Sequence, residues 1–367
     1  MENSRPELLS LLPDELSVLM ASLGEPGYRA RQLFEGLHRG LPPDEMTNIG
    51  KATKEKLRSA ASYHLPEVRK KLVSKLDGTI KYLFELADGN CIESVLMKYK
   101  HGNSICVSTQ VGCSMGCDFC ASTIGGRVRN LNPGEILGQV IAAQLDAGER
   151  ISNIVMMGIG EPLDNYDNVI KFLHLVNHEY GLNIGYRHIS LSTCGLVDKI
   201  YKLRDENLPI ILSISLHAAD DSLRSRLMPI NRRWGIAELL DACREYYRSG
   251  PGRRISFEYI LIPGLNDSPD DANKLADLLN SCLRADGPMP IHVNLIPQNK
   301  VYGREQADPG ARAADPRAFA AILERRGIRA TLRRRLGADI NASCGQLRRE
   351  STKYGGAAPV PPLKELF

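Results

Sequence analysis

Cys113, Cys117 and Cys120 form a C-x₃-C-x₂-C triplet inside the run CVSTQVGCSMGCDFC. Three thiolates from one short loop can hold three irons of a [4Fe–4S] cube and leave the fourth without a protein ligand. An open iron can bind a substrate. S-adenosylmethionine can fill that position through its amino and carboxylate groups, so an electron from the cluster can break a sulfonium bond and start radical chemistry. A structural zinc site is the alternative for the same triplet. Zinc usually takes four protein ligands, and no fourth cysteine or histidine lies close by in the chain; distant Cys194 or His217 would have to complete the set.

Other residues with chemical potential are scattered. Gly158-Ile159-Gly160-Glu161 places small residues where a backbone can approach a ligand, and the glutamate can accept hydrogen bonds from an amine or ribose. A glycine turn after a buried strand is the plainer reading. Ser192, Ser215, His217 and Asn294 could contact the same ligand, although strand-end serines are often turn formers. Cys106 stands seven residues before Cys113, outside the cluster spacing. Cys344 lies between Ser343 and Gly345 rather than in an apolar run, which favours exposure at a reactive position. Cys91, Cys194, Cys243 and Cys282 read as ordinary buried residues. Glu93 is a single acid in an apolar-rich strand, Cys91–Met97, and a solvent-facing carboxylate is its simplest explanation.

The elements that must carry these residues alternate. Strand candidates at Ile105–Ser108, Ile154–Met157, His188–Thr193, Ile210–Leu216, Ile255–Leu261 and Ile291–Ile296, with a weaker one at Ile328–Leu332, are separated by helical stretches. Pro133–Ala147, with Asn132 as N-cap, and Asp270–Leu283 are two such helices. Strand then helix, repeated six times, implies an α/β fold whose parallel sheet curls into a full or partial barrel. The chemistry of such barrels sits at the carboxyl ends of the strands. The cysteine triplet follows the first strand, Gly158–Pro162 follows the second, Ser192–Gly195 ends the third, Ser215-Leu216-His217 ends the fourth, and Asn294 lies near the end of the sixth. Five such elements at one rim are hard to explain as core packing.

Residues 1–64 read as short amphipathic helices divided by turns such as Glu25-Pro26-Gly27, and residues 65–104 as strands punctuated by the hairpin signals Asp77-Gly78, Asp88-Gly89-Asn90 and His101-Gly102-Asn103. Residues 105–346 form the expected core and 347–367, with GGAAPVPPL, a tail.

The 367 residues suffice for one large domain and an appendage, and 43% hydrophobic content excludes a disordered or fibrous chain. No signal peptide or membrane-spanning run is apparent, so a cytoplasmic protein without a membrane partner is expected. Nine cysteines, an odd number, argue for thiolate or metal chemistry over a disulfide framework. Between Ala321 and Lys353 nine Lys or Arg face three acids, which suits a phosphate backbone or, equally, a solvated surface.

The segments CVSTQVGCSMGCDFCAS, MGIGEP, LSTCG, SLHAADDSLRSRLMPI, HVNLIPQN and GADINASCGQL occur in the order found in one family. Over nearly its whole length the chain resembles the radical-SAM RNA methyltransferases that act on adenine carbons, in particular the bacterial adenine-C2 methyltransferases of 23S rRNA and tRNA. The resemblance implies a partial (β/α)₆ radical-SAM barrel with a small N-terminal helical accessory domain, which would orient RNA, and a β-hairpin extension. It implies Cys113, Cys117 and Cys120 as cluster ligands, and Gly160, Glu161, Ser192, Ser215, Leu216, His217 and Asn294 as S-adenosylmethionine contacts. Cys344 is similar to a cysteine that becomes S-methylated, Cys106 to its transient disulfide partner, and Glu93 to a general base.

The implied chemistry answers a difficulty: C2 of adenine is an electron-poor carbon that does not attack an electrophilic methyl group. One S-adenosylmethionine would methylate the Cys344 thiolate, and a second would supply the radical that removes hydrogen from that S-methyl group, two per turnover. The carbon radical would add to C2, Glu93 would take the C2 proton, and Cys106 would attack the Cys344 sulfur to release methylated RNA. The targets implied are the adenine of the ribosomal peptidyl transferase centre and the one 3′ of certain tRNA anticodons. An external electron donor and a monomeric chain are expected. A related enzyme type modifies C8 and confers antibiotic resistance; it usually has alanine after the glutamate, whereas Pro162 follows Glu161 here, which favours C2.

Overall fold

The computed structural model describes residues 5–100, 102–250, 253–299 and 314–342. The chain opens with helices α1 (Pro13–Ser22), α2 (Tyr28–His38) and α3 (Lys51–Ala60). Four strands follow, β1 (Glu67–Val73), β2 (Ile80–Glu85), β3 (Cys91–Tyr99) and β4 (Gly102–Cys106), then a short pair, β5 (Gln110–Gly112) and β6 (Arg127–Asn130). The rest alternates: α4 (Pro133–Ala147), β7 (Ile151–Met156), α5 (Tyr166–Asn177), β8 (Ile189–Thr193), α6 (Val197–Asp205), β9 (Ile211–Ser215), α7 (Asp221–Leu227), α8 (Ile236–Arg248), β10 (Arg254–Leu261), α9 (Pro269–Leu283), β11 (His292–Pro297), α10 (Pro316–Arg325) and β12 (Arg329–Leu332).

All strands except β5 and β6 join one sheet of ten, in the order β1-β2-β3-β4-β7-β8-β9-β10-β11-β12. The pairs from β1 to β4 are antiparallel, and every pair from β4 to β12 is parallel. This is the expected α/β fold, a mixed sheet with parallel strands and a helical N-terminal region. The weak strand candidate near Ile328 is β12, which extends the parallel ladder beside β11. The hairpin extension is not a separate ribbon, because β4 pairs with β3 on one side and β7 on the other and so fuses the two regions.

Local chemistry explains the element ends. The α4 N-terminus carries a reciprocal capping box: Asn132 Oδ1 accepts from Glu135 N at 2.8 Å and Glu135 Oε2 accepts from Asn132 N at 2.9 Å. Pro133 fits the first helical turn, where its missing N–H is of no consequence. The N-terminal segment docks on this cap, since Gly134 N donates to Ser10 Oγ at 2.9 Å. Helices pack in succession, α4 on α5, α6 on α8, α8 on α9 and α9 on α10. Their apolar residues cover strand residues such as Leu191, Leu212, Phe257 and Val293 in a continuous core.

Candidate active site

In parallel strands held in register, opposed residues point to the same face. Ser215 stands opposite Glu258, Glu258 opposite Asn294, and Asn294 opposite Thr331. A polar row thereby crosses β9 to β12 on one face while Ile214, Phe257 and Val293 fill the core on the other. The row runs into a cavity of about 150 Å³ lined by Ser215 and Glu258 and also by Cys113, Cys117, Cys120, Gly160, Glu161, Ser192 and His217. Residues drawn from five chain segments thus meet at the carboxyl ends of the strands, as the barrel rule requires.

Two expected contacts are not among the residues lining this cavity. Asn294 does not line it; its Nδ2 donates to Glu258 Oε1 at 2.9 Å and Ser256 Oγ at 3.0 Å, so it braces Glu258. Leu216 is fully buried in the core, its N–H donates to Glu258 O and its carbonyl accepts from Arg224 Nε.

The cysteine loop is compact. Gly112 has φ +75°, and a Cβ there would stand 2.0 Å from Gly126 O, so only glycine lets the loop fold back on itself. Cys113 and Cys117 are buried and Cys120 half-buried. Burial pushes the Cys113 thiol well above its ordinary range, and the neighbouring Cys117 and Cys120 push it further. Three thiols lining one cavity, with the charged form of Cys113 disfavoured by burial, are a donor set that a cationic iron cluster neutralises, so the residues fit the group. Cys194 and His217 share the cavity, yet among the described residues no three His, Cys, Asp or Glu side chains are placed to hold one metal ion. Cys113, Cys117 and Cys120 all line this one cavity. Cys194 is therefore more than a core thiol: it is buried at the cavity wall, and burial followed by Glu161 raises it well above its ordinary range.

Gly160 has φ +109°, and a Cβ there would lie 2.6 Å from Gln110 Cβ. The close approach that glycine permits is thus to the β5 segment. Glu161 is buried beside it, with Oε1 accepting from Leu163 N at 3.0 Å and Oε2 from Cys194 N at 2.8 Å. Desolvation still raises its carboxyl above the usual range. Thr193 and the Cys194 side chain bond the same carboxylate, so its direction at the cavity wall is fixed. His217 sits in the left-handed region at φ +60°. Ile260 N donates to its Nδ1 at 3.0 Å, which places the ring proton on Nε2. Burial, then Arg224, depresses the imidazole to about 3, so it is neutral at physiological pH.

Cys106 lies beside this cavity in a second cluster, and Glu93 stands two residues from its member Val95 on β3. Cys106 packs with Val95, Met97, Ile159 and Ala342, and Met157 packs against that group while also lining the cavity. Glu93 is 5% exposed, so it is not a solvent-facing carboxylate. Its Oε1 lies 2.7 Å from Lys81 Nζ, and Lys81 Nζ also donates to Asn341 O at 3.3 Å. Cys344 lies outside the described residues, as do the 347–367 tail and the last three basic residues of the charged stretch.

Sequence reasoning missed Lys81, Glu258 and Arg224. Glu258 carries the signal that flagged Glu93, a lone acid in an apolar strand; its Oε2 stands 3.6 Å from Arg333 Nη1, and burial raises its carboxyl. Arg224 is fully buried and donates to Leu216 O, Asn231 Oδ1, Cys194 O and Ser215 O. It clamps the ends of β8 and β9 under the cavity.

Comparison with known proteins places the chain in one family. The Radical SAM superfamily model matches residues 107–278, and the model of the ribosomal RNA large subunit methyltransferase N-terminal domain matches residues 6–62. The chain is 52% identical over 344 residues to a Clostridium novyi protein named "Probable dual-specificity RNA methyltransferase RlmN", covering 93% of this chain and 97% of that protein. An Alkaliphilus oremlandii protein of the same name is 50% identical over 345 residues, covering 94% and 98%. The crystal structure of a radical SAM methyltransferase from Sphaerobacter thermophilus matches with a TM-score of 0.85 at 43% identity, over 94% of this chain and 99% of that one.

Proposed function

The chain belongs to the RlmN family of radical SAM RNA methyltransferases, and on that premise we propose that it methylates C2 of adenine in 23S rRNA and in tRNA through an S-methylcysteine carrier. It is an RNA methyltransferase that uses a [4Fe–4S] cluster and S-adenosylmethionine. When bound, these supply a reducing electron, a methyl group and a carbon radical.

The protein's own residues would do the rest. Cys113, Cys117 and Cys120 would hold the cluster, with Glu161, His217, Ser192 and Ser215 orienting the methyl donor beside it. Cys344 would carry the methyl group as a thioether, and its carbon would become bonded to C2. Glu93 would take the C2 proton, and the thiolate of Cys106 would attack the Cys344 sulfur, forming a disulfide as the sulfur–carbon bond breaks. The unpaired electron of the adduct would return to the oxidised cluster, and the electron pair of the broken sulfur–carbon bond stays with the carbon, which gains a proton to complete the methyl group. An external reductant would restore the thiols.

The observation that carries this reading is the adjacency of two sites. Met157 touches both the cysteine-lined cavity and the cluster around Cys106, and Ala342, two residues before Cys344 in the chain, packs in that same cluster. The RNA reading is supported by exposed Arg325, Arg326, Arg329, Arg334 and Arg335 on α10 and around β12. No described helix is long and apolar enough to cross a membrane.

The test is the identity of the modified nucleoside. RNA treated anaerobically with the reconstituted protein, S-adenosylmethionine and reductant should yield 2-methyladenosine on digestion. Release of 8-methyladenosine alone would overturn the C2 assignment in favour of the C8 type.

A further inference from the structure

Lys81, Glu93 and Cys106 occupy one face of the sheet. Lys81 is opposite Val95 across β2 and β3, and Val95 is opposite Cys106 across β3 and β4. Glu93, two residues from Val95, is the diagonal neighbour of Lys81 on that face. The Lys81 and Glu93 side chains are 12% and 6% exposed, so a buried carboxylate is paired with a half-buried ammonium. The carboxylate needs such a partner, because it does not keep its charge cheaply away from water.

The same ammonium reaches the segment that leads to Cys344. It donates to the carbonyl of Asn341, which is held in the left-handed region at φ +51°. The β1–β2 turn grips that segment as well. Asp339 accepts from Ser74 Oγ at 2.7 Å and Lys75 N at 2.9 Å, and Asp77 Oδ2 accepts from Gly337 N at 2.9 Å. Residues 337 to 341 are thereby tied to the hairpin at three points, and only the bond to Asn341 is shared with a carboxylate beside the second cluster.

We propose that Lys81 is a positioning residue for proton removal, fixing the Glu93 carboxylate and the chain at Asn341 in a single geometry; this rests on the reading of Glu93 as the base. The step concerned is a proton transfer. The C2–H bond breaks, its electron pair stays with the adenine ring, and the proton passes to a Glu93 oxygen. That oxygen must be ionised and within hydrogen-bond reach beforehand. Lys81 secures both conditions, and through Asn341 it registers the base against the segment that presents the carrier cysteine.

The experiment compares wild type, Lys81→Met, Lys81→Arg, Glu93→Gln and the Lys81→Met/Glu93→Gln double variant as reconstituted holoenzymes on an RNA hairpin. Four quantities are read: methylated product, RNA left covalently attached on a denaturing gel, the mass of the Cys344 peptide, and the thermal midpoint. Lys81→Met should lower product formation at least tenfold and raise attached RNA, with the added methyl on Cys344 unchanged. Lys81→Arg, which keeps the charge, should regain most of the loss. In the Glu93→Gln background, Lys81→Met should add nothing, because the lysine acts through the carboxylate.

Product at the normal rate from Lys81→Met, while Glu93→Gln traps RNA, would reject the role of Lys81 and leave Glu93 standing. Loss of the Cys344 methyl in step with product would likewise reject it, since the lysine would then serve only to shape the segment. Glu93→Gln that traps no RNA would remove the reading of the base, and this proposal with it. If Lys81→Met melts early, Lys81→Gln, which keeps length and polarity, is read by the same criteria.

Discussion

Arg224 Nη2 donates to the main-chain carbonyl of Cys194 at 2.8 Å, joining a fully buried guanidinium to the wall of the cysteine-lined cavity. The same side chain reaches Ser215 O, Leu216 O and Asn231 Oδ1. Removing it would strand several buried acceptors, each of which loses on the order of 1–3 kcal/mol when left unsatisfied. Arg224→Met is therefore expected to lower the unfolding free energy by about 3 kcal/mol or more, seen as a reduced urea midpoint. Arg224→Lys should recover only part of this, because an ammonium cannot reproduce the planar fork.

A pH dependence follows from His38 on α2, which packs against Phe34 and is pushed by burial, then by His178, down to about 3 from its ordinary 6.5. The unfolded chain binds this proton near pH 6.5 and the folded chain does not until about pH 3, so between those values folding is weakened as pH falls. Each unit is worth roughly 1.4 kcal/mol at full separation. His38→Phe should flatten the acid limb of the stability curve, measured by denaturant midpoints at pH 7, 6 and 5. An unchanged slope would show that His38 takes up its proton equally in both states.

Cys106→Ala separates bond formation from release. Its sulfur is the proposed attacker of the Cys344 thioether, so the variant should form the carbon–carbon bond and keep RNA covalently attached. A denaturing gel with labelled RNA reads this directly. Free methylated RNA at the normal rate would reject the role.

Local signals in the chain explain what was legible in advance. The span of α4, Pro133–Ala147, follows from Asn132 and Pro133 at one end and from Gly148, left-handed at φ +64°, at the other. The parallel strands announce themselves as short β-branched runs, and Cys113, Cys117 and Cys120 by spacing alone. The cavity unites most of the expected contacts because they share strand ends. What the sequence concealed depends on pairing between distant segments. Nothing local tells that Lys81 and Glu93 meet, since their diagonal relation requires the register of β2 on β3. Arg224 reads as one more arginine in SLRSRL until the fold buries it beneath Cys194 and Ser215. Asn294 stands in the right row but its side chain donates to Glu258, a distinction fixed by side-chain direction.

The central claim is that the methyl carbon passes through a cysteine thioether and loses a hydrogen before it reaches RNA. S-adenosylmethionine bearing a trideuterated methyl group, supplied over many turnovers, tests it by mass spectrometry of the methyladenosine product. Two deuterium atoms in the new methyl group are predicted, the third position being filled from solvent. Retention of all three would mean direct methyl transfer and would contradict the account.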